Sequence, residues 1–369
     1  MSNLQIEIQL IAVVVAAACA LPGVFLVLRR MSLMSDAISH SILLGIVLAF
    51  FVTQDLSSPL LIFGAAAIGV LTVTLVELIA RTGLVKEDAA IGLVFPVLFS
   101  IGVILISKFA GNVHLDTDAV LLGELAFAPF DRFVVFGMDI GPRALYLMSG
   151  ILLLNLLFIV IFYKELKLAT FDTGLAAALG FMPVAIHYAL MGLISITAVG
   201  AFDVVGSVLV VALMIAPPAT AYLLTDRLAR LIGLSVLIGA LSALSGYWLA
   251  RALDASIAGA MATMAGVIFG IVYLLAPERG LIAGARRRKR QRWEFAQTML
   301  AIHLFNHEGT LEAAHESRIE HMGEHMRWQW PFTQRVVHHA EQRGLLRNDS
   351  GLLLLTDAGR QLAQQTIVA

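Results

Sequence analysis

Residues 6–28 have the sequence IEIQLIAVVVAAACALPGVFLVL. An α-helix needs about 20 mostly apolar residues to cross the roughly 30 Å hydrocarbon core of a bilayer, and this segment meets that requirement. Eight further segments resemble it, which gives the candidates 6–28, 36–53, 60–80, 90–107, 144–163, 181–200, 203–223, 231–251 and 256–276. Several are short or interrupted by glycine and proline. The sequence therefore predicts an all-α polytopic membrane protein with eight or nine transmembrane helices.

The composition of the 369 residues supports this class, since 59% are hydrophobic and only 14% are charged. Soluble globular chains carry about 25% charged residues, so an ordinary soluble enzyme is excluded. The single cysteine excludes a disulfide scaffold. The net charge of −1 conceals a division, because residues 278–369 hold 23 charged residues and the much longer segment 1–277 holds 28. We therefore expect a transmembrane domain (1–277), a basic juxtamembrane linker (278–292) and a small cytoplasmic domain (293–369).

The loop charges predict an orientation. If the nine segments alternate across the membrane, one set of loops contains 15 Lys and Arg residues and the other only 4. The richer set comprises Arg29, Arg30, Arg81, Lys86, Lys164, Lys167, Arg227, Arg230, Arg279 and the basic residues of 286–292; the poorer set is Lys108, Arg132, Arg143 and Arg251. The positive-inside rule then places the N-terminus outside and the C-terminal tail in the cytoplasm.

Ionisable residues within apolar segments suggest function, because burying them in a membrane is costly. Asp36 and His40 lie in RMSLMSDAISHSILLG (residues 30–45) and are four residues apart, so a helix places them on one face. A carboxylate and an imidazole suit Mn, Zn or Fe(II). The alternatives are an intramembrane ion pair, or an Asp36 that caps the start of its helix.

A second candidate is Asp203, in VGAFDVVGS (residues 199–207) between two apolar segments. Its carboxylate would line a pathway beside glycines that permit close helix contacts, or would cap a helix start. His187 and Glu77 lie near segment ends, where interface or helix contacts explain them. Pro217 and Pro218 predict a break or kink in their helix.

The loop between the fifth and sixth segments has the sequence KELKLATFDTGLAAALG (residues 164–180). It predicts a short amphipathic helix, which fits both a docking site for a soluble partner and a plain connection. The chain contains no G-x-x-x-x-G-K-[ST] phosphate loop, so a partner would have to hydrolyse any nucleotide that powers transport.

Three segments carry a resemblance to permease subunits of bacterial ABC importers for manganese, zinc and iron: residues 30–45, 171–180 and 205–221. The resemblance covers about residues 5–277, and one departure is Leu44, where many members have proline. It implies that Asp36 and His40 contact the metal, with Asp203 a further candidate ligand. It also implies that Phe171, Asp172 and Gly180 belong to the helix that couples to the ATPase.

The resemblance further implies a non-enzymatic transport subunit of the bacterial cytoplasmic membrane. Its partners would be a cytoplasmic ATPase, an extracytoplasmic metal-binding protein and a second permease, either identical or paralogous. The metal would be the substrate, with no permanently bound cofactor. Mn, Zn and Fe all remain open, and acid pH should weaken capture because neutral imidazole and ionised carboxylate are the ligating forms. The alternatives are a permease for an iron chelate and a membrane-tethered, metal-responsive DNA-binding regulator.

The tail begins with RRRKRQR (residues 286–292), which predicts contact with anionic membrane lipid. Beyond it we expect helices at Trp293–Asn306 and Glu312–Met326, and another from Pro331. A hairpin turn at 347–351 and a final helix capped by Thr356 follow. This order resembles a winged helix, and residues 341–360 resemble diphtheria-toxin-repressor-type metalloregulators. The presumed recognition helix carries only Arg335 and Arg343, which argues against DNA binding.

The tail also contains a set of potential metal ligands. These are His303, His307, His315, Glu316, Glu320, His321 and His325. A polar, solvated helix face is the favoured interpretation, and a regulatory cytoplasmic metal site is the alternative.

Overall fold

In the part of the chain that the computed structural model describes, eleven helices make up most of the first of two compact units, Met1–Gly280 and Leu281–Ala369. The structure describes residues 3–54, 58, 60–109, 125–135, 138–310 and 312–368. The helices of the first unit are α1 (Asn3–Leu28), α2 (Ser32–Thr53), α3 (Leu60–Arg81), α4 (Glu87–Phe109), α5 (Arg143–Ile161), α6 (Tyr163–Phe171), α7 (Thr173–Ala178), α8 (Pro183–Val205), α9 (Ser207–Leu224), α10 (Leu228–Leu253) and α11 (Ile257–Leu275). Within the described residues, all except α6 and α7 are long and apolar enough to span a membrane, so the nine-helix alternative is the one observed.

The helices form a bundle in which α1 packs against α5, α9 and α10, while α2 packs against α3 and α4. Small residues permit the closest approaches. A Cβ atom added to Gly45 of α2 would lie 2.4 Å from the carbonyl oxygen of Gly64 in α3. The two backbones are therefore nearly in contact, as is common where membrane helices pack through small residues.

Of the predicted break or kink at the prolines of α9, the break does not occur, because the helix runs continuously through Pro217 and Pro218. Proline removes the hydrogen bond to the carbonyl four residues earlier, which for Pro218 is that of Met214. A Cβ atom on Gly23 would lie only 2.0 Å from that oxygen, so α1 packs closely over the freed carbonyl. This packing supports a continuous helix.

A short antiparallel pair, β1 (Arg132–Val135) and β2 (Met138–Pro142), lies between α4 and α5, and the sequence analysis did not predict it. Arg132 links this pair to the start of α1, since its Nη1 atom donates to Oε1 of Glu7 over 3.0 Å. Its Nε atom lies 3.2 Å from Oδ2 of Asp139 within the hairpin.

The second unit follows the predicted order of helices and hairpin. It contains α12 (Leu281–His307), α13 (Ala313–Glu316), α14 (Ile319–His325), α15 (Trp330–Gln342), β3 (Leu346–Asp349), β4 (Leu352–Leu355) and α16 (Asp357–Val368). Its own core includes the buried residues Leu300, Met322, Val336, Leu353 and Ala363. Thr356 caps α16 as predicted, because its Oγ1 accepts from Gly359 N over 3.2 Å.

Two boundaries in this unit differ from the expectation. The basic run 286–292 is part of α12 instead of a separate linker, because good helix formers and no glycine or proline follow Gly284 up to Glu308. The single helix predicted at Glu312–Met326 is two short helices. They are separated where Ser317 O accepts from Leu353 N (2.9 Å) and Ile319 N donates to Gly351 O (3.0 Å).

Candidate functional site

Asp36 and His40 face each other one turn apart on α2, with His40 Nε2 3.4 Å from Asp36 Oδ1. Asp36 does not cap the helix, because the N-cap position is Met31. The Asp36 side chain is 41% exposed and that of His40 is 28% exposed on the single chain. Both therefore retain surface that could contact a cation, and their donor atoms are of the kinds that Mn, Zn and Fe(II) accept.

The pair lies near the middle of the bundle, although both residues belong to the first turns of α2. Ser35 Oγ donates to Met214 Sδ over 3.2 Å, and Met214 is close to the midpoint of α9. A Cβ atom on Gly69 of α3 would be 1.9 Å from Ser195 Oγ in α8 and 3.3 Å from Ile38 Cγ2. Since Ser195 and Gly69 are near the midpoints of their helices, the first turns of α2 lie at mid-depth.

Two aromatic residues of α4 pack against the His40 ring. Its centroid lies 5.8 Å from that of Phe95 in a stacked arrangement and 6.0 Å from that of Phe99 edge-on. Such contacts orient an imidazole without occupying its nitrogen atoms. His40 Nε2 therefore remains directed at Asp36.

Asp203 lies in the last turn of α8, which ends at Val205 and is followed by Gly206 with a positive φ. Asp203 is therefore not at the start of a helix. The capping alternative for Asp203 is therefore wrong. The Asp203 residue is exposed. Among the described residues, the structure groups neither Asp203 nor the Asp36–His40 pair into a set of three potential metal ligands.

A second polar cluster joins the turn after α1 to the loop helices, which are α6 and α7. Arg29 Nε donates to Thr170 Oγ1 of α6 over 3.2 Å. Its Nη1 atom lies 3.0 Å from Nδ1 of His187 in α8. Because arginine can only donate, Nδ1 of His187 is the acceptor and Nε2 carries the ring proton.

The cluster continues into α3. His187 Nε2 contacts Oε1 of Glu77. The second oxygen of Glu77 accepts from Tyr188 OH over 2.9 Å and from Arg81 Nη2 over 3.2 Å. The interpretation of His187 and Glu77 as helix contacts is therefore confirmed. A cavity of about 410 Å³ adjoins the cluster, and Arg29, Arg30, Glu77, Arg81, Thr170 and His187 are among its lining residues.

The predicted amphipathic segment forms α6 and α7, separated by Asp172. The Asp172 side chain caps α7, because its Oδ1 accepts from Leu175 N over 2.8 Å. Gly180 follows with a φ of +84°, a left-handed conformation that favours glycine. Phe171 (61%), Leu175 (47%) and Leu179 (59%) are exposed around this turn. Exposed apolar patches of this kind are often sites of protein contact.

Sequence reasoning missed the roles of Arg29 and Thr170. Arg29 counted only as one of several loop charges, and Thr170 lay within the amphipathic segment without a chemical reason to single it out. The two residues are 141 positions apart, so no local pattern could pair them.

Comparisons with known proteins extend over both units. Residues 1–276 match the model of the ABC 3 transport family. The chain is 51% identical over 361 residues to the zinc transport system membrane protein TroD of Treponema pallidum (strain Nichols), covering 98% of each protein. It is 52% identical over 270 residues to the manganese transport system membrane protein MntD of Bacillus subtilis (strain 168), covering 73% of this chain and 91% of MntD.

A solved structure also matches. A chain of PsaBC from Streptococcus pneumoniae, in complex with Fab, aligns with a TM-score of 0.63 and 31% sequence identity. The alignment covers 76% of this chain and 94% of that one. The alignment with TroD spans nearly the whole chain, so the second unit has a counterpart in that relative.

Proposed function

Because the chain belongs to the ABC 3 transport family, we propose that it is the membrane permease subunit of an ABC importer for a divalent transition-metal cation. Zinc and manganese are the metals in the names of the similar TroD and MntD. The observation that carries the proposal is the Asp36–His40 pair at mid-depth in the bundle. Ionisable groups at such a depth are costly, so their presence indicates a function.

In this mechanism an extracytoplasmic binding protein delivers one cation to the outer end of the bundle. Asp36 and His40 bind it transiently, and the orientation of His40 by Phe95 supports this role because the ring needs no rearrangement. The loop helices precede the first residue of α8, and Asp203 lies near its last residue, at the opposite end. Asp203 would therefore contact the cation before Asp36 and His40 do. A second permease, identical or paralogous, would complete the pathway.

The energy would come from a separate cytoplasmic ATPase, since the chain lacks a phosphate loop. We assign the docking surface to α6 and α7, with Phe171 exposed, Asp172 as the cap and Gly180 as the turn. The hydrogen bond that Arg29 donates to Thr170 would transmit movement of this surface to the end of α1, and His187 would transmit it to α3.

The positive-inside rule supports a chain whose N-terminus is outside and whose second unit is in the cytoplasm of the bacterial inner membrane. The second unit would be a winged-helix-like regulatory or protein-contact domain. Its element order supports this assignment, while its presumed recognition helix carries only two arginines, which disfavours DNA as a partner.

The test is metal uptake by the permease reconstituted in vesicles with its ATPase and binding protein. Mn²⁺, Zn²⁺ and Fe(II) are supplied in parallel to the wild-type protein and to His40→Ala. We expect ATP-dependent uptake of at least one cation by the wild type and none by the variant, with equal amounts of both in the membrane. If His40→Ala takes up metal as well as the wild-type protein does, the assigned site is refuted. If only a bulky iron chelate is taken up, the assignment of a free divalent cation as the cargo is refuted.

A further inference from the structure

Four potential metal ligands converge in the second unit, whereas Asp36 and His40 belong to the first. His303, His307 and Glu316 each offer a ligand atom, and these atoms all lie within 4.8 Å of one another. His325 joins them, because its Nε2 atom lies 3.0 Å from Oε2 of Glu316. The same oxygen lies 3.8 Å from Nε2 of His303.

Three elements bring these residues together. His303 and His307 are one turn apart at the end of α12, with ring centroids separated by 4.7 Å. Glu316 is the last residue of α13 and His325 is the last residue of α14. Side chains from three separate helices therefore meet where those helices end.

The charge balance of the cluster is unusual. The Glu316 side chain is only 12% exposed, and among the described residues its ion-pair partners are all histidines. A largely buried carboxylate without a lysine or arginine partner is costly unless a cation compensates it.

We propose that His303, His307, Glu316 and His325 bind one divalent transition-metal cation, and that Zn²⁺ fits them best. Three imidazoles and one carboxylate are a set that tetrahedral Zn²⁺ accepts, with bonds of about 2.0–2.2 Å. Such bonds place ligand atoms about 3.3–3.5 Å from one another. Separations of up to 4.8 Å would therefore shorten, whereas the 3.0 Å between His325 and Glu316 would lengthen slightly. An imidazole-rich set favours Zn²⁺ over Mn²⁺.

Not every member of the predicted His and Glu set takes part. His315 and His321 stack on each other with centroids 4.0 Å apart, and His315 is 65% exposed. The solvated-face interpretation therefore suits these two residues. The fold brings together four ligands that the sequence alone could not distinguish from the other members of the set.

Binding at this site would also act on the hairpin of β3 and β4. Glu316 directly precedes Ser317, whose carbonyl accepts from Leu353 N over 2.9 Å. Ile319 N donates to Gly351 O in the turn of the same hairpin over 3.0 Å. A cation that fixes Glu316 would therefore fix the strand-like connection between α13 and α14, and with it the position of the hairpin.

The test uses the full chain in lipid nanodiscs, without a histidine tag and with Asp36→Asn and His40→Ala, so that the pair in the first unit contributes no ligands. Zn²⁺ is titrated by calorimetry, and Co²⁺ serves as a spectroscopic probe of the ligands. His303→Ala and His307→Ala are compared with His338→Ala, which removes an exposed histidine of α15 outside the cluster. Glu316→Gln keeps the side-chain volume and so separates loss of a ligand from loss of folding.

We expect one Zn²⁺ per chain with a dissociation constant below about 10 µM. His303→Ala, His307→Ala and Glu316→Gln should each weaken binding about tenfold or more, and His338→Ala should leave it unchanged. Zn²⁺ should also slow amide hydrogen exchange at residues 317–319. No binding below about 10 µM, or equal weakening by His338→Ala, would overturn the proposal. So would unchanged affinity in folded Glu316→Gln.

Discussion

The Nε atom of Arg29 donates a hydrogen bond to Oγ1 of Thr170 over 3.2 Å and thereby joins the turn after α1 to the short helix α6. Thr170 directly precedes the exposed Phe171 of the proposed docking surface. Nη1 of the same guanidinium group contacts His187 in α8. One arginine therefore lies between the docking surface and two spanning helices.

If this contact transmits movement, Thr170→Val should reduce transport while the ATPase still binds. One hydrogen bond contributes about 0.5–1.5 kcal/mol, so we expect uptake to fall about twofold to tenfold. Arg29→Gln, which also loses the contact with His187, should have a larger effect. The measurement is uptake per ATP hydrolysed in vesicles, with the exposed Arg227→Gln as control. An unchanged ratio in both Arg29→Gln and Thr170→Val would contradict a coupling role.

The two candidate carboxylates should differ in importance. Asp36→Asn removes the charge that faces His40, and we expect uptake to fall about a hundredfold. Asp203→Asn, at the end of α8, should reduce uptake less, because that residue is not paired with His40 in the structure. Uptake and membrane abundance are measured together, with Ser32→Ala on α2 as control. A greater loss in Asp203→Asn than in Asp36→Asn would reverse the assignment.

The docking surface predicts the effect of a charge at Phe171. This side chain is 61% exposed, so Phe171→Asp should fold but disfavour an apolar contact with the ATPase. We expect the ATPase to be lost on co-purification in detergent. Phe130→Asp, with a 65% exposed side chain near the β1–β2 pair, is the matched control and should retain it. Retention of the ATPase by Phe171→Asp would place the docking surface elsewhere.

The contact between α2 and α3 predicts a stability effect. Gly45→Ala places a Cβ atom where it would lie 2.4 Å from Gly64 O, so the two helices must separate. We expect a loss of about 1–3 kcal/mol, measured as a lower thermal midpoint in detergent. Gly92→Ala in α4 has no atom within 4 Å of the new methyl group and should leave the midpoint almost unchanged. Equal midpoints for both variants would show that the close contact is absent in the protein.

The proposed orientation is testable by thiol labelling. Cys19 is fully buried, so it should stay unlabelled in the wild type and is replaced by alanine in the test variants. A cysteine introduced by Asn3→Cys should react with a membrane-impermeant maleimide in intact cells. One introduced by Ser350→Cys, in the turn of the second unit, should react only after permeabilisation. The opposite pattern would invert the topology.

The spanning helices were predictable because each is predominantly apolar over about the length that is needed to cross a membrane. Asp36 and His40 were found because their four-residue spacing is local. Their depth was not predictable, since it depends on where α2 packs against Met214 and Ser195. The split of the predicted helix at Ser317 had the same origin, because its partner, Leu353, belongs to a distant hairpin.

The charge of the cavity beside Arg29 affects how easily a cation could leak through the permease. Its lining presents the guanidinium groups of Arg29, Arg30 and Arg81 against the single carboxylate of Glu77, a formal charge of +2 with His187 neutral. On the proposed route, a doubly charged ion that leaves Asp36 toward this end meets electrostatic repulsion. Release would then require the Arg29 side chain to withdraw, and the cavity would act as a valve that opposes leakage in either direction until the loop helices move.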